Sequence, residues 1–261
     1  MTCHLRVSVA THSLHVLVQE SHTGFVSFAR RILSSPLHKR GPNTVPQSDV
    51  HCLEGNINPD NVVAMLGNIF TIPEFISRQP FSHVHVELGF AHAHSGILQR
   101  VSKEYSSPRE FESYRNAWVA NRWPLGKIPP RLNSTKVDKN NSLVTASSAL
   151  LCTALDNFFT DRKIPLKTCL PSLIPFIFAY QFPVKGEACT VLLLREQTGR
   201  FAEPTVQMAF MGPTGPQEIA TCRINDVADN SAVETALRRM VCGSGIQIAP
   251  RVVEYVWPGP H

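Results

Sequence analysis

The chain has 261 residues, 43% of them apolar, enough for one large or two small cores and too apolar for a disordered protein. Charged residues make up only 17%, and 25 lysines and arginines against 20 acids leave a net charge of +5, a lean towards an anionic partner. Seven cysteines show no C-x-x-C pair or zinc-ribbon spacing and read as free core thiols, and no apolar run reaches the ~20 residues that span a bilayer.

Residues 1–48 hold one acid, Glu20, against Arg6, Arg30, Arg31, Lys39 and Arg40, with seven serines. That composition is expected of a basic N-terminal arm or of an organellar transit segment, which would place the protein in mitochondria. The alternating stretches LRVSV and LHVLV also suit short strands. Residues 49–140 read as a mixed helical and extended region. Within it, NPDNVVAMLGNIF predicts a helix, with Asn58 as cap and Pro59 at its first position.

The stretch HVHVELGFAHAH places His83, His85 and Glu87 on one face of a strand, and His92 and His94 form a second alternating pair. Four imidazoles and a carboxylate suit zinc or another transition metal, which defines one alternative reading, a histidine-site metalloenzyme. The plain alternative is a sheet face carrying neutral histidines. SSPREFESYRNAWVANRW then predicts a helix capped by Ser107, with Pro108 first and Glu110 closing a capping box. Phe111, Tyr114 and Trp118 recur at helical spacing as core anchors, and Arg122 at the end is a candidate RNA contact.

Residues 126–141 read as an extended basic linker. Lys127, Arg131, Lys136 and Lys139 are candidate contacts to an RNA backbone, because each cation that meets a phosphate releases a counterion. A domain boundary is expected near residue 140, with residues 141–261 forming a helix from Ser142 and then a second domain. No internal repeat is visible. From Glu187 the texture is strand (ACTVLLLRE), loop, strand (TVQMAFM), GPTGP turn, short strand (EIATCRI), helix (DNSAVETALRRMVCG) and one or two more strands.

That order, with the stretch ETALRRMVCGSGIQI, resembles the Nudix family. Arg238, Met240, Gly245 and Ile246 match the Arg, apolar, Gly and apolar positions of the Nudix box. The acidic slots do not match: they hold Arg239, Cys242 and Gly243, and the earlier Gly and Glu fall on Ile224 and Asn230. The resemblance implies an α+β protein whose C-terminal half is a Nudix-like α/β/α layer, truncated at His261 or completed by a partner, after an irregular, partly helical N-terminal half. Without carboxylates the box cannot hold the magnesium that pyrophosphate cleavage uses. Nudix-like proteins with degenerate boxes serve in the mitochondrial large ribosomal subunit. The resemblance therefore implies a non-catalytic ribonucleoprotein subunit with no cofactor, partnered by ribosomal or other RNA and neighbouring proteins and not by a membrane. The alternative that it also implies is a hydrolase of nucleoside diphosphates or RNA 5′ ends with displaced metal ligands.

Overall fold

The computed structural model describes residues 3–20, 50–99, 107–123, 128–180, 190–196, 205–212, 215–223, 231–243 and 251–257. The chain opens with β1 (Cys3–Val9), β2 (Ser13–Glu20) and β3 (Val50–Glu54), an antiparallel meander. Helices α1 (Val62–Phe70) and α2 (Pro73–Ile76) cross over to β4 (Phe81–Leu88), which lies parallel to β1. After an insertion, α4 (Ala149–Asp161) leads into β8 (Leu166–Pro171), parallel to β4. The five strands run in the order β3-β2-β1-β4-β8.

Alternation decides the layers of this sheet. Leu5, Val7 and Val9 of β1 and Val84, Val86 and Leu88 of β4 face α1 and α4 and are fully buried. The opposite face carries His4, Arg6, Ser8, His83, His85 and Glu87. Residues 3–20, expected inside a basic arm, thus supply the middle strand of a sheet. Removing β1 would break two ladders and the largest core at once.

The insertion between β4 and α4 is a three-stranded sheet of β5 (Ala93–Gln99), β6 (Arg131–Lys136) and β7 (Asn141–Ser147), with β7 in the middle, covered by α3 (Pro108–Arg122). The predicted capping box of α3 is present: Ser107 Oγ accepts from Glu110 N at 3.3 Å, and Ser107 N donates to Glu110 Oε2 at 3.1 Å. The ring edges of Trp118 and Trp123 press on β5 at Gly96, where a Cβ would stand 2.7 Å from the Trp118 ring. The expected basic linker is instead β6, an edge strand, and the expected boundary near residue 140 falls in the β6–β7 hairpin. The helix expected from Ser142 begins at Ala149, capped by Ser148; the stretch before it, SLVTAS, is strand β7, where tertiary pairing overrides the weak helical pattern.

The last part repeats the first. β9 (Thr190–Glu196), β10 (Thr205–Gly212) and β11 (Gly215–Arg223) form an antiparallel meander, α6 (Ser231–Gly243) crosses over, and β12 (Arg251–Trp257) returns parallel to β9. The order β11-β10-β9-β12 is that of β3-β2-β1-β4. The molecule is therefore a duplicated α/β fold and not an irregular half followed by a Nudix layer. Helix α5 (Leu173–Ala179) sits at the joint: Leu173, Ile174, Phe176 and Ile177 pack with Leu192, Leu194 and Trp257 of the second lobe and Ala10 of the first.

A buried ion pair inside the first sheet receives an indole from the second lobe. Arg6 Nε donates to Glu87 Oε1 at 2.9 Å and Nη2 to Oε2 at 2.8 Å, and the Trp257 indole N–H reaches the same carboxylate at 2.7 Å. Arg6 and Glu87 are each 3% exposed and Trp257 1%. Breaking such a pair strands a buried charge, which costs more than removing both members. Arg6→Met is expected to lower unfolding free energy by about 3–5 kcal/mol, and Arg6→Met with Glu87→Leu by clearly less. Urea unfolding of the two variants checks this.

Candidate functional site

The carboxyl ends of the two parallel pairs, β1 with β4 and β9 with β12, meet at one point. In open α/β sheets the crevice outside the carboxyl ends of the strands is where ligands bind. The chain leaves β1 through Ala10, Thr11 and His12, a turn closed by Ala10 N to Ser13 O at 2.9 Å. It leaves β4 through Gly89 and Phe90, where the Gly89 carbonyl accepts from His92 N and Ala93 N, both at 3.0 Å.

Glu196, the last residue of β9, enters this junction from the other lobe and is 3% exposed. Its Oε1 accepts from Thr11 N at 3.0 Å and from Thr11 Oγ1 at 2.9 Å, and its Oε2 accepts from Phe90 N at 2.8 Å. Gly89 makes room, since a Cβ there would lie 2.6 Å from Oε1. A carboxylate buried this far stays charged only with full hydrogen bonding, and each such charged bond contributes about 1.5–3 kcal/mol. Two backbone N–H groups and a hydroxyl from two segments satisfy this carboxylate, Thr11 at Oε1 and Phe90 at Oε2.

His92 borders the turn. Its ring hydrogen-bonds the Ala10 backbone, His12 lies close by, and burial before all else pulls its pKa down to about 4. Its Nε2 is buried without a hydrogen-bond partner, as are His94 Nδ1 and Ser95 Oγ among the described residues. His94 is held between Phe90, at 4.5 Å between ring centroids, and a stacked Trp123 at 5.5 Å; burial brings its pKa down to about 4.

The proposed metal ligands do not converge. His83 and His85 do share a sheet face, as alternation requires, and His4 of β1 joins them: His83 stacks on His4 at 5.0 Å and meets His85 at 4.9 Å. Glu87 is taken by Arg6 and Trp257, and His92 and His94 lie past the end of β4. Among the described residues no group of three or more His, Cys, Asp or Glu side chains could hold a metal ion. Burial first, then the neighbouring imidazoles, holds His85 down at about 4, and His83 and His4 are also lowered, chiefly by burial.

The described basic candidates fall on the end of α3 and on the β6–β7 hairpin. Arg122 lies over the Trp118 ring at 4.8 Å, a cation–π contact at the end of α3. Arg131 reaches Thr153 from one end of β6, Lys136 closes the other, Lys139 is in the hairpin turn, and Lys127 lies outside the described residues. Of the supposed Nudix box, Arg238 and Arg239 are exposed on α6; Met240, Cys242 and Gly243 belong to that helix, while Gly245 and Ile246 lie outside the described residues.

No protein-family profile matches the chain, and no curated protein does either. Solved structures do. A complex titled the PilM–PilN type IV pilus biogenesis complex aligns with a TM-score of 0.52 and 11% identity over 97% of this chain and 80% of that one. A Bacteroides thetaiotaomicron VPI-5482 protein of unknown function, described as having an actin-like ATPase fold, aligns at 0.49 and 9% identity over 98% of this chain and 81% of that one. The cytoplasmic domain of EpsL, an inner membrane component of the type II secretion system of Vibrio cholerae, aligns at 0.47 and 9% over 100% of this chain and 84% of that one.

These findings overturn the Nudix resemblance. The pilus biogenesis structure shares its fold with nearly the whole chain, and the chain's own strand order is a duplication of a meander, a helix and a parallel strand. The ribosomal role and the ribosomal RNA partner fall with it. The misreading has a physical source: strand, strand, helix, strand is a sequence of elements that different sheets share, and only pairing distinguishes them.

The site residues that sequence reasoning missed are Thr11, Gly89, Phe90 and Glu196. The available signals were the polar break ATHS between two alternating runs, the Gly that ends HVHVEL, and an acid at the end of VLLLRE.

Glu196→Ala leaves the Thr11 and Phe90 N–H groups unsatisfied and is expected to lower stability by about 2–5 kcal/mol, read from urea unfolding. The lowered histidines set a pH dependence. Folding favours their neutral forms, so their contribution is complete above the ordinary value of 6.5 and is lost as pH falls through about 4. The urea midpoint should decline over that window, and the combined variant His85→Gln, His92→Gln, His94→Gln should flatten the decline.

Proposed function

We propose that this chain is a two-lobed, non-catalytic docking subunit of a multi-protein assembly, whose interlobe junction is closed by its own side chains. The observation that carries the reading is Glu196. Its carboxylate occupies the donors at the strand ends, the position where an open α/β sheet receives a ligand. The Arg6–Glu87–Trp257 contact adds a second, dry attachment between the lobes. The pilus biogenesis complex supports the protein-docking part of the reading, since a protein of the same fold stands there in a complex between proteins.

A ligand that binds only the folded state raises its stability by RT ln(1 + [L]/Kd), about 2.7 kcal/mol at a hundredfold excess over Kd. Millimolar ATP with magnesium is therefore expected to leave the melting temperature of the wild-type chain unchanged. The same tagged chain, drawn from its native cells, should elute in gel filtration well above its 29.0 kDa mass. A clear nucleotide-dependent rise in melting temperature, or elution as the free chain, would overturn the docking reading.

A further inference from the structure

We propose that Cys152 and Cys169 form an oxidative modification site, a buried dithiol that hydrogen peroxide closes into a disulfide stapling α4 to β8. The inference stands apart from the interlobe junction and does not rest on the docking reading.

Two elements bring these thiols together. β8 lies parallel to β4 with Cys169 opposite Val86, so pleating turns Cys169 to the face that α4 covers and Thr168 to the other face, beside His85. α4 buries Leu151, Cys152 and Leu155 in the same core. Cys152 is 1% exposed, Cys169 is half-buried, and their sulfurs stand 3.7 Å apart. A disulfide bond is about 2.0 Å long, so each sulfur has to travel less than about 1 Å, a distance within reach of side-chain rotation.

The surroundings give the two thiols different parts. The Cys169 S–H bond to Cys152 first, and then the Arg131 guanidinium, lower the Cys152 pKa against the opposing pull of burial. Arg131 is tied beside the pair by its bond to Thr153 Oγ1, the next residue along α4, at 3.3 Å. The shared bond and burial push the Cys169 thiol up. Cys152 is therefore the thiolate that forms first and attacks, and Cys169 is the thiol that resolves.

The chemistry balances on one equivalent of peroxide. The Cys152 thiolate attacks a peroxide oxygen, the O–O bond breaks, and the departing hydroxide takes a proton and leaves as water. Cys152 then carries a sulfenic acid. Cys169 loses its proton and attacks Cys152 Sγ, the S–O bond breaks, and the second oxygen leaves as water. Two thiols have given up two electrons, and the peroxide has become two waters. A small hydroperoxide fits where a bulky disulfide oxidant does not, since Cys152 is sealed and Cys169 belongs to β8, the last strand of its sheet. The new bond closes a loop across 17 residues and so removes freedom from the unfolded chain.

The test is mass mapping of the full, reduced chain after a few equivalents of hydrogen peroxide, with remaining thiols blocked by N-ethylmaleimide in denaturant. Trypsin cuts after Arg162, Lys163 and Lys167, so the two cysteines fall on different peptides. Wild type should yield these two peptides joined, two hydrogens lighter than their reduced parts and separated again by dithiothreitol. Its melting temperature should rise by about 5–10 °C on oxidation and return on reduction. Cys169→Ser should stop at the sulfenic acid, which dimedone traps on Cys152, and Cys152→Ala should leave Cys169 to the maleimide. The deciding measurement is made on the wild-type chain, so a variant that fails to fold leaves the test standing. Recovery of Cys152 and Cys169 as maleimide adducts while the exposed Cys52 is oxidised, joining of either to a different cysteine, or a melting temperature that falls once the bond has formed would overturn the inference.

Discussion

A single carboxylate, that of Glu87, governs how the two lobes stand. It lies at the end of β4, on the face that the first core leaves polar, and draws in a guanidinium from β1 and an indole from β12. A charge removed from water this completely is tolerable only when its lone pairs are filled, so the last residue of β12 is held to one place. β12 carries its register on β9 with it, opposite Glu196 at Trp257, and that register sets where Glu196 arrives. The junction at Thr11 is thus a consequence of the pairing at Glu87, relayed through one strand pair.

The two lobes share a plan and differ in use. Both run a meander, a helix and a returning parallel strand, and both put the carboxyl ends of their parallel strands at the joint. The exchange across the joint is reciprocal: an acid of the first lobe accepts from the second, and an acid of the second accepts from the first. The first lobe adds a fifth strand, a second covering helix and the small sheet with its tryptophans. In the second lobe α6 covers β9 and β10, and Val252 and Val256 of β12 remain open to solvent.

Elements were legible where a local rule fixes them. Ser107, Pro108 and Glu110 announce α3 because a capping box is a contact between neighbours in sequence, and alternation through His83, His85 and Glu87 announces a strand face because pleating has period two. Ser142 to Ser147 defeats local reading, since its Leu, Val and Thr suit a strand or a helix flank and only its partners β5 and β6 decide. The duplication was hidden for the same reason: strand order resides in pairing between distant residues, and the two halves need share no identities to share it. The site is the extreme case. Thr11, Phe90 and Glu196 stand 185 and 106 residues apart along the chain, and no spacing rule connects them.

The placement of the three tryptophans gives the molecule a built-in optical signature. Trp118 and Trp123 are half-buried on the small sheet, one of them under a guanidinium, where a dissolved quencher can reach them. Trp257 is sealed at the joint with its N–H on a carboxylate, a setting that changes the moment the lobes part. Emission that iodide cannot extinguish therefore comes from one indole, and its colour reports whether the two lobes are closed, with no label attached.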